Sequence, residues 1–194
     1  MPGLKVCGIT DAGFALDAAR RGADYLGFVF AWNSPRRIAP QAAHDIAQAV
    51  KGAGNPTRLV GVFTDQGVED IISIGAIAGL DAIQLHGPYP DSSVVALKAK
   101  GYEVWRLSEK KGIEDAVLLD GRSGNESRKA DWSKVAPLKA AGARVVLAGG
   151  ISSANIADAV KTGADIIDVS SSLETSPGVK SLARLESLLE SFRA

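Results

Sequence analysis

The chain has 194 residues, 46% of them hydrophobic, with 22 basic side chains set against 22 acidic ones. Balanced charge leaves no electrostatic footprint for nucleic acid or an anionic membrane surface, and a single cysteine excludes an internal disulfide and fits a reducing compartment. With two histidines and that one cysteine, a dedicated zinc site is not expected.

The amino-terminal MPGLKVCG lacks a basic segment followed by an apolar stretch, so no secretory signal is read there. No apolar run approaches the roughly 20 residues of a membrane span. The expectation is a cytoplasmic globular protein folded as one domain over residues 1–194.

Apolar runs alternate with helical patterns from end to end. Strands are predicted over residues 4–7, 25–30, 59–63, 82–85, 103–107, 116–119, 145–148 and 166–169. Most are continuously apolar rather than alternating, as parallel strands covered on both faces are. Pro40, at a first-turn position, opens a helix with Ala43, Ile46, Ala47 and Val50 on one face. Val68, Ile71, Ile72 and Gly75 repeat that spacing. Asp91 is the expected cap of the next helix, and Ser152 or Ser153 that of the helix through Ile156, Ala159 and Val160. The last helix should turn Leu182, Leu185, Leu189 and Phe192 inward. GAD recurs at residues 22–24 and 163–165, with GLD at 79–81, weak echoes of a repeating βα unit.

Between the fifth and sixth strands only residues 108–115 remain, too few for a full covering helix. Eight strands and seven helices in this length predict an α/β fold, a compact (β/α)8 TIM barrel. A doubly wound sheet usually carries G-x-G-x-x-G at its first turn, and CGITDAG does not supply one.

In a barrel the chemistry sits where strands end. Cys7 ends the first strand, either as a small core hydrophobe or, with a lowered pKa, as a base or nucleophile. The loop over residues 31–37 is unusually long, and its Arg36 and Arg37 are either solvated or, braced by Pro35, able to fork onto a carboxylate. His86, at the end of the fourth strand, reads in isolation as a satisfied, partly buried histidine, and His44 on the outer ring has no role. Asp120 is either a turn former beside Gly121 or a general acid whose partly apolar surroundings raise its pKa. Gly149 and Gly150 lie between a strand and a helix, where backbone N–H groups can approach an anion, and Ser170, Ser171 and Ser172 follow the eighth strand. Many barrels bind phosphate on these two loops. Trp105 and Trp132 are packing or pocket wall.

KVCGIT, GADYLGFVF with SPRRIAP, VGVF, IQLHG, LLD, LAGGI and DVSSSLETSPGVK, in order and spacing over nearly the whole chain, together resemble the phosphoribosylanthranilate isomerases, the Amadori-rearrangement enzymes of tryptophan biosynthesis. The resemblance implies a (β/α)8 fold, N-(5-phosphoribosyl)anthranilate as a small phosphorylated substrate, and no cofactor. A monomer or homodimer is expected. By motif Cys7 would be the general base, Asp120 the general acid, and Arg36 the holder of the anthranilate carboxylate. The loops of Gly149, Gly150, Ser170, Ser171 and Ser172 would take the phosphate, while Gln84, His86 and Asp168 would line the pocket. A carboxylic acid with a raised pKa and a thiol with a lowered one suit that acid–base chemistry.

The chain departs from the family pattern at three places. GRSGNESRKADW keeps only Gly124 at the centre of a usually Gly-rich stretch, Ser172 replaces a glycine, and Arg37 stands where Tyr is common. Residues 121–130 are therefore expected to be mobile and to raise KM. The competing reading is a divergent paralogue acting on, or only binding, another phosphosugar. Retention of both Cys7 and Asp120 speaks for turnover. A metal-dependent epimerase would need histidines that this chain lacks.

Overall fold

Eight apolar stretches pair in parallel: β1 (Gly3–Cys7), β2 (Tyr25–Val29), β3 (Arg58–Phe63), β4 (Ala82–Leu85), β5 (Glu103–Leu107), β6 (Ala116–Leu119), β7 (Val145–Leu147) and β8 (Ile166–Val169). Each strand neighbours the next, and β8 returns to β1, closing a barrel. The computed structural model describes residues 1–123, 126–127 and 130–193. Its helices are α1 (Ala12–Arg20), α2 (Pro40–Gly52), α3 (Val68–Ala78), α4 (Asp91–Ala99), α5 (Val135–Ala140), α6 (Ile156–Lys161) and α7 (Leu182–Arg193). No helix among the described residues is long and apolar enough to cross a membrane.

Strand parity sorts the side chains into two cores. Leu4, Val6, Ile83, Leu85, Ile167 and Val169 point outward and pack under the helices. Tyr25, Val60, Ala82, Trp105, Ala116, Val146 and Ile166 fill the barrel. Trp105 is fully buried there, edge-on to Tyr25 with ring centroids 5.1 Å apart, so it is packing rather than pocket wall. Trp132 packs against the outer core.

No helix covers the connection from β5 to β6, as its length dictates. Arg106, on the outer face of β5, reaches across the gap instead, with Nη2 2.7 Å from Glu114 and Nη1 2.5 Å from Asp91. The Gly-x-Asp echoes also acquire a physical meaning. Asp24, Asp81 and Asp165 each accept, at 2.7 Å, the backbone N–H of Leu4, Leu59 or Val145 on the preceding strand. Asp115 does the same for Val104 at 2.8 Å without the glycine signature. Every second strand start thus satisfies a donor at the amino-terminal rim of its neighbour.

Several boundaries are corrected. Phe30 and Ala148 fall just beyond their strands. Asp91 is the first residue of α4 rather than its cap, because Pro90 already holds the extended cap position. Neither Ser152 nor Ser153 caps α6. Asn155 occupies that position, and its side-chain oxygen turns back to accept the Ser152 N–H at 2.8 Å. Leu188 joins the inward face of α7. Arg122–Ser123 pairs antiparallel with Glu126–Ser127. The expected mobility of residues 121–130 falls in part on positions 124–125 and 128–129, which lie outside the described residues.

Candidate active site

The carboxyl ends of the strands surround a cavity of about 860 Å³, within the range of small-molecule sites. Cys7, Arg36, Gln84, His86, Asp120 and Asp168 all line it, as do Gly149, Gly150, Ser170 and Ser171. Ser172 does not. It borders a smaller cavity against α7, and its Oγ is buried without a hydrogen-bond partner among the described residues.

Inward parity on β1 brings Lys5 and Cys7 into the barrel one layer apart. Lys5 is completely buried. Its Nζ donates to Asp168 Oδ2 at 2.7 Å and to Gln84 Oε1 at 2.9 Å, linking β1, β8 and β4 through the barrel axis. Burial alone would drive the Lys5 pKa down, but Asp168 holds it above its ordinary range, so the ammonium persists. Asp168 Oδ1 is buried and has no partner among the described residues.

Cys7 is 7% exposed and belongs to a small apolar shelf with Val29, Ala31 and Val62. Burial pushes its thiol up, against the opposing pull of Lys5 and Lys180. The expected depression of its pKa is therefore overturned: in the open cavity the thiol is desolvated more strongly than its two ammonium neighbours compensate. Gly27 on β2 makes room for it, since a Cβ there would lie 2.7 Å from Sγ.

Across the mouth, His86 Nε2 is 2.9 Å from Asp120 Oδ2. His86 is both a satisfied histidine and a wall of the cavity. Gly149, with φ +87°, meets the same carboxyl from the other side, where a Cβ would stand 2.6 Å from Asp120 Oδ1. The glycine that the sequence offers to phosphate is thus also demanded by Asp120.

Arg36 is already engaged. Its Nε and Nη2 fork onto Glu174 at 2.7 and 2.6 Å. Glu174 begins a hairpin, Glu174–Ser176 with Val179–Lys180, that returns Lys180 to the site. Lys180 Nζ donates to Glu174 at 2.8 Å and to the Ser170 carbonyl at 3.1 Å. Burial would raise the Glu174 pKa, but Arg36 and Lys180 hold it at about 2. Burial also lowers Lys180, against Glu174.

Lys5, Glu174 and Lys180 do not line the cavity but hold the lining residues Asp168, Arg36 and Ser170, a role that the motifs containing them do not assign. For Lys5 the signal was available: a charged residue in a buried strand, two positions from Cys7, shares its inward face. For Glu174 and Lys180 it was not, because their convergence depends on the hairpin after β8.

The family model described as N-(5'phosphoribosyl)anthranilate (PRA) isomerase matches residues 4–191 of the chain. The N-(5'-phosphoribosyl)anthranilate isomerase of Eremothecium gossypii is 37% identical over 206 residues, spanning 97% of both proteins. The crystal structure of phosphoribosyl anthranilate isomerase from Thermus thermophilus is 34% identical, superposes with a TM-score of 0.87 and covers 98% of both chains. A phosphoribosyl anthranilate isomerase in complex with reduced 1-(o-carboxyphenylamino)-1-deoxyribulose 5-phosphate is 28% identical, with a TM-score of 0.81 over 100% of this chain and 99% of that one.

Proposed function

Starting from a chain that belongs to the phosphoribosylanthranilate isomerase family and performs its isomerisation in tryptophan biosynthesis, we propose that Cys7 and Asp120 divide the proton transfers between them. The reaction converts N-(5-phosphoribosyl)anthranilate to 1-(2-carboxyphenylamino)-1-deoxyribulose 5-phosphate. Asp120 gives a proton to the furanose ring oxygen, the C1′–O bond breaks, and an iminium forms between C1′ and the aryl nitrogen. Cys7, as thiolate, then takes the C2′ proton to leave an enolamine. Loss of the enol proton and protonation at C1′ give the ketone. C2′ is oxidised and C1′ reduced within one molecule, so the enzyme is an aldose–ketose isomerase.

The observation that carries this reading is the placement of Cys7 and Asp120 on opposite sides of one cavity, at the ends of β1 and β6. The iminium is the cation that favours a thiolate otherwise disfavoured by burial. His86 holds Asp120 toward the ring oxygen. The partnerless Asp168 Oδ1 is an acceptor suited to a sugar hydroxyl. Gly149, Gly150, Ser170 and Ser171 take the phosphate, and Arg36 offers its remaining N–H edge to the anthranilate carboxylate.

The test is to generate phosphoribosylanthranilate in situ and follow the loss of its fluorescence with the purified protein. Turnover that disappears in both Cys7→Ala and Asp120→Asn supports the assignment. Wild-type-like turnover in either variant removes that residue from its role. Sulfate or phosphate soaked into crystals should lodge between β7 and β8, and an anion over β2 and β3 would contradict the phosphate assignment.

A further inference from the structure

Trp32 is the one large hydrophobic side chain among the described residues that is both exposed, at 60%, and a wall of the cavity. The other exposed ones, such as Ile77, Val95 and Val179, lie away from it. The Arg37 guanidinium sits 4.0 Å from the indole centroid, so one face of the ring is stacked against a cation while most of the side chain stays open to water. Leaving an indole exposed forfeits a large apolar burial that a ligand could recover.

The cavity is chemically divided. Its β7–β8 side presents backbone and hydroxyl donors, whereas its β2–β3 side presents the apolar shelf of Val29, Ala31 and Val62. Trp32 follows that shelf directly in sequence, and Arg36 closes the same loop. A flat, uncharged ring lying on the shelf would meet the indole, with its ortho carboxylate within the arginine's side of the mouth. We propose that Trp32 is the wall against which the substrate's aryl ring packs, making it a specificity-determining residue for N-aryl over N-alkyl sugar amines. This rests on the isomerase reading above.

Trp32→Ala should raise KM for phosphoribosylanthranilate about tenfold, as expected for losing one aromatic contact and its burial, with the loss falling on KM rather than kcat. Trp32→Phe should recover most of it. Ribose 5-phosphate, which lacks the ring, should inhibit all three proteins equally. Titrating anthranilate should quench indole fluorescence in the wild type more than in Trp32→Phe, because the carboxyphenylamino group absorbs where indole emits. An unchanged KM in Trp32→Ala, or ribose 5-phosphate weakening in step with the substrate, would overturn the assignment. If the wild type fails to turn over phosphoribosylanthranilate, the isomerase reading falls, while the quenching difference still decides whether an aryl carboxylate packs on Trp32.

Discussion

The Lys5 ammonium lies one inward position beneath the Cys7 thiol on β1, pinned there by Asp168 and Gln84. Burial raises the thiol, and Lys5 supplies the larger of the two ammonium pulls that oppose it. Thiolate therefore grows with rising pH, and kcat/KM should climb through the neutral range toward the thiol pKa. Lys5→Met should move that limb further to alkaline pH. Alkylation of Cys7 by iodoacetamide reads the thiolate directly and should move with it. The variant also leaves Asp168 buried without its cation, a loss of about 3–5 kcal/mol of stability, so circular dichroism must show it folded. Coincident profiles for variant and wild type would make Lys5 purely structural.

The His86–Asp120 contact gives a graded expectation. Asp120→Asn keeps the shape but cannot donate an acid proton, so turnover should fall roughly 10²–10⁴-fold while the product analogue still binds. His86→Asn leaves the acid in place but releases its hold, so its loss of turnover should be smaller. Normal turnover with weakened binding in Asp120→Asn would make that residue a positioning group instead.

Why some of this was legible in sequence follows from where each signal lives. Continuous apolar strands and 3.6-residue helical faces are local, so all eight strands and the absent helix after β5 could be read. Cys7, Asp120 and Gly149 stand at strand ends, where a barrel must place its site. The charge state of Cys7 could not be read, because it depends on burial and on Lys180, which returns from 173 residues away. Arg36 likewise looked available for a ligand. Its fork onto Glu174 spans 138 residues of sequence and exists only once the barrel closes. Ser172 stands at a phosphate-loop position that is usually glycine, and its side chain turns to the α7 side.

Gly149→Ala separates two reasons for one glycine. If the residue served only phosphate, the variant would chiefly raise KM. A Cβ there crowds Asp120 Oδ1 at 2.6 Å and forces an L side chain into left-handed backbone. The expected result is a fall in kcat at least as large as any rise in KM. An effect confined to KM, with a product-analogue complex showing Asp120 undisplaced, would return Gly149 to the phosphate alone.

Glu174 joins Arg36 to Lys180 and makes the pair sensitive to acid. Its folded pKa of about 2 lies below the ordinary 4.5 of a glutamate carboxyl, so its carboxylate stabilises the fold above that range. The contribution, of order 2–3 kcal/mol, is lost as pH falls from about 4.5 through about 2. Glu174→Gln should abolish that part of the acid sensitivity while lowering stability at neutral pH, because two cations lose their shared partner. Urea unfolding midpoints measured between pH 7 and pH 2.5 should therefore converge for the two proteins as the pH drops. The same substitution frees two of the donors of Arg36. With Arg36 no longer held in one orientation, KM for phosphoribosylanthranilate should rise, and inhibition by ribose 5-phosphate should stay constant. A lower KM would mean that Glu174 competes with the substrate for Arg36 rather than aiming it. Parallel midpoint curves would mean that its carboxylate does little for the fold.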